Sequence, residues 1–290
     1  MPMMPSARPR RSALYLPAHN ARAVEKARSA PCDVVILDLE DAVGPNAKLE
    51  ARAGAVEAVR RGGFDYREVV IRTNGLDTPW GREDLAAAAQ VRPHAVLVPK
   101  IAAARDLQAA RKALGDSLPL WAMIETCVAM LRLDEIGTAG VDAGVELWVI
   151  GSNDLAKEMH CAYSVQRPGL LTALSMSVMA ARAFGLGILD GVFNDLADED
   201  GLARQCAQGV DLGFDGKTVI HPKQIEITNR VFAPGEAEVA WARAVVNAFD
   251  RPENAGQSLL TVQRRMVERL HYEEAQRVIQ IADAIEVIGH

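Results

Sequence analysis

VVILDLEDAV, residues 34–43, is the stretch whose reading decides the fold. Val34 to Leu37 are all apolar, with β-branched residues leading. A strand with one wet face alternates apolar and polar residues, whereas a strand covered on both faces does not. The run then stops on acids: Asp38, Glu40 and Asp41. An Ala-, Glu- and Arg-rich stretch of helical character follows. Working outward in both directions, the same unit recurs. Its apolar runs are Ala13–Leu16, Val34–Leu37, Val69–Ile71, Ala95–Val98, Leu120–Ile124, Leu147–Ile150, Leu186–Leu189 and Thr218–Ile220, eight in all. Strand–helix alternation of this kind predicts parallel βαβ units with right-handed crossovers. Eight of them predict an α/β chain folded as a (β/α)8 TIM barrel, whose usual size is about 250 residues. A doubly wound open sheet is the competitor, but no G-x-G-x-x-G follows the first run.

Beyond Ile220, residues Glu236–Phe249 and Gln263–Ile285 read as helices. Asp250–Ser258 between them carries Pro252, Asn254 and Gly256 and reads as a linker. The expected organisation is a flexible Pro- and Arg-rich tail over residues 1–11, a barrel over 12–233 and a helical C-terminal extension over 234–290.

Composition narrows the function classes. In 290 residues, 49% are hydrophobic and 24% charged, which suits a full core and excludes a mostly disordered chain. A net charge of -6 argues against a broad nucleic-acid surface. No apolar run approaches the ~18 residues of a membrane span. The four cysteines, Cys32, Cys127, Cys161 and Cys206, form no CxxC pair and read as buried reduced thiols of a cytoplasmic protein. The N-terminus lacks the apolar segment of a signal peptide.

In a (β/α)8 barrel the C-terminal strand ends surround the active site. Seven of the eight runs here end near a charged or strongly polar residue. They supply Asp38, Glu40 and Asp41, then Arg72 and Asn74, Lys100, Glu125, Ser152 with Asn153 and Asp154, Asp190, and Lys217 with His221. Glu125 and Asp154 leave adjacent strands, which lie ~4.8 Å apart. Two carboxylates so placed can grip one hard cation and leave positions for water and substrate oxygens, as Mg²⁺ prefers, with Mn²⁺ as a substitute. The alternative is a pair of carboxylates neutralised by Lys100 and Arg72. Arg72 offers a planar fork for the carboxylate of an oxo acid, or else an internal ion pair with Glu40 or Asp41. His221, before Pro222, reads as a structural histidine.

RSALYLPAHNARAVEKA (11–27), DVVILDLEDAV (33–43), K-x-x-A-R (48–52), VIRTNG (70–75), VLVPK (96–100), MIET (123–126), GSNDLA (151–156) and GFDGKTVIHPKQ (213–224) together resemble the citrate lyase β-subunit family. This is the branch of the HpcH/HpaI aldolase superfamily that includes malyl-CoA and citramalyl-CoA lyases. The resemblance implies a (β/α)8 barrel assembled as a homotrimer or homohexamer. It implies Mg²⁺ on Glu125 and Asp154, with Glu125 and Arg72 meeting the substrate and Arg72 on its carboxylate. It implies reversible carbon–carbon cleavage of a 3-hydroxyacyl thioester to a 2-oxo acid and an acyl thioester, with Glu40 and Asp41 as candidates for the base.

Two positions depart from the family pattern. Pro17-Ala18 stands where Pro-Gly is usual, close to where a nucleotide-bearing thioester would pass. Gln263 heads Gln263-Arg264-Arg265-Met266 where the family has D-G-K-M, whose aspartate reaches a neighbouring subunit's site. Arg11, Arg22, Lys26 and Arg265 are candidates for CoA phosphates. A CoA-independent 2-oxo-acid aldolase is the second reading, opposed by Asp41 where that branch carries histidine. A non-catalytic paralogue binding metal and dicarboxylate is the third.

Overall fold

Each of the eight runs forms a strand: β1 Ser12–Pro17, β2 Val34–Asp38, β3 Glu68–Arg72, β4 Ala95–Val98, β5 Leu120–Ile124, β6 Val145–Ile150, β7 Gly187–Asp190 and β8 Gly216–Val219. In this computed structural model, which describes residues 8–115 and 118–289, the strands pair in chain order, all parallel, and β8 closes on β1. The result is a closed (β/α)8 barrel. Alternate residues of each strand point inward, and Tyr15, Ile36, Val70, Leu97, Met123 and Val149 belong to the cluster that fills the barrel. The residues between them, such as Leu16, Leu37 and Ile71, pack outward with the helical layer. Two positions past Ile36 and Val70, on the same inward face, come Asp38 and Arg72. The pattern that fills the barrel therefore also delivers charge to its C-terminal mouth.

The N-terminal approach to β1 corrects one expectation. Arg10 and Arg11 are buried rather than part of a free tail. Arg10 Nε lies 2.6 Å from Glu68 and Arg11 Nη2 2.8 Å from Asp33. Both acids sit at strand entries, opposite the strand exits, so Arg11 is committed at the wrong end to meet a thioester's phosphates. Residues 1–7 of the expected tail lie outside the described residues.

The chain divides into two compact units, Arg10–Phe232 and Ala233–His290. The second unit holds helix Glu236–Phe249, a hairpin of β9 Leu259–Val262 and β10 Arg265–Glu268, and helix Arg269–Ile288. The hairpin replaces the first turns of the expected helix from Gln263. Leu260, Val262 and Val267 alternate with exposed neighbours, and Val262 and Val267 bury against Val245, Phe249 and Val278. That is a period of two, not of 3.6. Gln263 and Arg264 form the two-residue turn at φ 46° and 67°, the left-handed geometry that usually selects Asn-Gly or Asp-Gly.

All four cysteines are free; Cys32 and Cys206 are buried, whereas Cys127 and Cys161 are only half-buried. Among the described residues no helix is long and apolar enough to cross a membrane.

Candidate active site

Asp38 and Arg72 face each other across the β2–β3 pair, where they are register partners. Arg72 Nε and Nη2 donate to the two Asp38 oxygens at 2.6 and 2.7 Å. The backbone N–H groups of Glu40 and Ala42 donate to the same carboxylate, each at 2.9 Å. One buried acid thus aims Arg72 and also folds the loop that carries Glu40 and Asp41. Lys48 completes that loop by donating its Nζ to the carbonyls of Leu39 and Glu40, both at 2.9 Å. Arg72 Nη1 is left facing Glu40 at 3.0 Å and Asp41 at 3.4 Å. The Glu40 approach is a charge contact without hydrogen-bond geometry, since its Oε2 is buried and has no hydrogen-bond partner.

Across the mouth, Glu125 follows β5 and Asp154 lies in the first turn of helix Ser152–Glu158, after β6. Glu125 is 1% exposed and its Oε1 accepts from the Lys100 backbone N–H at 2.8 Å. Gly151 makes room for it: a Cβ there would stand 2.3 Å from Glu125 Oε2. The Lys100 ammonium lies 3.4 Å from Glu125 Oε1 and directly against Asp154 Oδ2. Lys100 itself holds φ +57°, uncommon for a residue with a side chain. A cation therefore already bridges the two carboxylates. The donor set, two hard carboxylate groups with one side open, fits a divalent ion that keeps water or substrate oxygens in its remaining positions. No group of three or more candidate metal ligands occurs among the described residues.

Burial and charge set the proton affinities here. Burial raises Glu40 to about 8 from an ordinary 4.5, helped by the neighbouring acids Asp41 and Glu125 and opposed by Arg72. Burial also raises Glu125, against the pull of Lys100. Asp38 goes the other way: burial favours its proton, but the Arg72 guanidinium and the two backbone donors outweigh that and hold it below the usual carboxylate range.

The fold brings Asp38, Glu40, Asp41 and Arg72 to one side of the mouth and Lys100, Glu125 and Asp154 to the other. It engages four other candidates elsewhere, three at strand exits and Lys217 near the start of β8. Asp190 and Lys217 are fully buried, joined at 2.8 Å, and tied to Arg167 in the loop before helix Leu171–Ala183 and to Gln205 on helix Glu199–Leu212. Asn74 donates to Asp84, which is also held by Arg52. His221 Nδ1 accepts the Lys223 backbone N–H, a capping role in agreement with its structural reading. Arg265 lies over the Trp241 ring, 5.1 Å from its centroid, inside the second unit. Ala18 is 2% exposed and takes a negative φ, so no glycine conformation is required there. Sequence reasoning missed Tyr15 and the strut Lys48. Lys48 heads the K-x-x-A-R motif, which carried the resemblance but assigned it no role.

These features define a metal-compatible carboxylate site at the mouth of a (β/α)8 barrel. The chain belongs to the HpcH/HpaI aldolase/citrate lyase family, whose model matches residues 11–222. It is 44% identical over 283 residues to a (3S)-malyl-CoA thioesterase of Cereibacter sphaeroides, covering 98% of both chains. It is 30% identical to an L-malyl-CoA/β-methylmalyl-CoA lyase of the same species, covering 97% of each. Its fold superposes on CitE of Mycobacterium tuberculosis, solved with magnesium, acetoacetate and coenzyme A, with a TM-score of 0.76 and 27% identity over 94% of this chain and 97% of that one. The family thus includes both carbon–carbon lyases and thioesterases.

Proposed function

We propose that the protein is a divalent-metal-dependent enzyme acting on a malyl-type 3-hydroxyacyl-CoA thioester, and that its reaction is hydrolysis of the thioester bond. The carrying observation is the Glu125–Asp154 pair, bridged by the Lys100 ammonium, facing Arg72 and Glu40 across one barrel mouth. Similarity along nearly the whole chain to a malyl-CoA thioesterase supports hydrolysis over cleavage. Glu125 and Asp154 would hold Mg²⁺, or Mn²⁺ in its place. A divalent cation held there would supply Lewis acidity toward substrate oxygens.

The chain's own residues do the rest. Arg72, aimed by Asp38, offers Nη1 to the acid end and balances its charge. Glu40, with a proton affinity near neutrality, exchanges protons at its buried Oε2. In hydrolysis it takes the proton of the attacking water as the new C–O bond forms. It returns that proton to the thiolate released when the C–S bond breaks. Asp41, largely exposed, keeps a second carboxylate beside Arg72.

The second reading is carbon–carbon cleavage to glyoxylate and acetyl-CoA. The similarity to a malyl-CoA lyase favours it, and the same residues would serve. A CoA-free aldolase keeps Asp41 against it. Gln263 cannot replace an aspartate as an acid–base group, so either reaction must run here on groups other than that position. A trimeric or hexameric assembly belongs to the same reading.

The deciding experiment offers (3S)-malyl-CoA with Mg²⁺ and follows free thiol and glyoxylate separately, with Glu125→Gln alongside. Thiol release without glyoxylate, lost in the variant, is expected. Glyoxylate with acetyl-CoA would establish the lyase. Neither product from a folded, Mg²⁺-binding protein would make it a non-catalytic paralogue.

A further inference from the structure

Among the described residues, two buried side-chain atoms beside Arg72 lack hydrogen-bond partners: Glu40 Oε2 and Tyr15 Oη. Tyr15 stands on the inward face of β1 and is 9% exposed. Its ring lies against the Arg72 guanidinium, 4.6 Å from centroid to carbon. A phenylalanine would fill the same volume without stranding a hydroxyl. A buried hydroxyl without a partner costs about 1–3 kcal/mol, so a retained one points to an oxygen it serves.

Arg72 shows which oxygen that is. A carboxylate is usually recognised by a guanidinium through two parallel bonds. Here Nε and Nη2 are already committed to Asp38, and Nη1 makes only long hydrogen bonds, 3.4 Å to the exposed Asp41 and 3.8 Å to the Met123 sulfur, which a ligand could displace. The acid end of a ligand meeting Arg72 thus has an oxygen that this side chain cannot cover. Burial raises the Tyr15 phenol above its ordinary range, which keeps it protonated and a donor at any working pH.

We infer that Tyr15 is a further substrate-binding residue, its hydroxyl donating to the carboxylate of a hydroxy- or oxo-acid held by Arg72 Nη1. Tyr15 and Arg72 Nη1 thus present two donors to one carboxylate. This rests on the functional reading above for the identity of the acid, not for the hydrogen bond.

The test is Tyr15→Phe, which removes one oxygen and keeps the ring under Arg72. Calorimetry with Mg²⁺ present would titrate malate and glyoxylate into both proteins; Mg²⁺ alone and thermal melting are run as controls. The expected result is acid binding weakened about ten-fold or more, Mg²⁺ affinity unchanged, and a melting temperature equal to or above wild type. In turnover of malyl-CoA the loss appears in KM at least as much as in kcat. Equal acid affinity in the two proteins would overturn the inference, as would loss of Mg²⁺ affinity in the variant, or a wild type that binds neither acid. A wild type that binds the acids yet leaves malyl-CoA intact would sink the proposed reaction, and the binding difference would still decide Tyr15.

Discussion

Arg72 and Asp38 form a closed pair: two guanidinium nitrogens on two carboxylate oxygens at 2.6 and 2.7 Å, both side chains buried. Their geometry sets how much of the arginine a ligand can use. Asp38→Asn leaves the guanidinium buried without its counter-charge and weakens the loop bearing Glu40. The expected cost is about 3–5 kcal/mol, read from urea unfolding. A cost below about 1 kcal/mol would mean that Glu40 and Asp41 can take over the arginine.

Gly151 and Glu125 are coupled by space. A methyl at Gly151 would stand 2.3 Å from Glu125 Oε2 and 2.4 Å from its Cβ, so Glu125 would have to leave its position. Gly151→Ala should therefore lower Mg²⁺ affinity by at least about ten-fold. Glu125→Gln and Asp154→Asn should match or exceed that loss with the barrel still folded. Calorimetric titration with Mg²⁺ and circular dichroism check both halves; unchanged affinity in all three variants removes the metal from this site.

Glu40 makes stability depend on pH. Its carboxyl titrates at about 8 in the folded chain against 4.5 when free. Between those values the folded state holds the extra proton, so rising pH favours unfolding. The contribution is present in full below the lower value and is lost as pH rises through the upper one. In metal-free protein, the unfolding free energy of wild type relative to Glu40→Gln should fall steadily from about pH 5 to pH 8. A flat difference across that range would show that Glu40 is ionised throughout.

Asp190 and Lys217 belong to the scaffold. Both are fully buried, and Arg167 and Gln205 complete the network. Lys217→Met leaves Asp190 and Arg167 to pair alone and removes the acceptor Gln205's donor. A cost of about 3 kcal/mol or more is expected, with Mg²⁺ affinity unchanged in the protein that remains folded. A Mg²⁺ affinity that falls with Lys217 would place this network in the site after all.

The barrel could be read from the chain because its signal is local and repeated. Runs such as Val34–Leu37 lose alternation when both faces are covered, and that pattern survives without coordinates. The strand-exit acids and Arg72 were visible for the same reason, since barrel topology sends strand ends to one mouth. The hairpin Leu259–Glu268 was not recognised, because two four-residue strands carry little periodicity beside a long helical neighbour.

The residues themselves therefore determined the eight-fold unit, the class of barrel and the acids, arginine and lysine gathered at its mouth. Tertiary structure decided which of those polar groups share one space. Asp190 ends β7 like the other strand-exit charges and Lys217 lies near the start of β8, yet their side chains turn outward and neutralise each other in the helical layer. Arg72 could be a fork for an acid or half of an ion pair with Glu40 or Asp41, and the fold instead closes two of its nitrogens on Asp38. Tyr15 looked like one more apolar residue of β1 until its hydroxyl was found buried and unpartnered beside Arg72. The reason is physical: composition and period report which residues are buried, whereas pairing energies depend on distances of a few ångströms that only the folded chain creates.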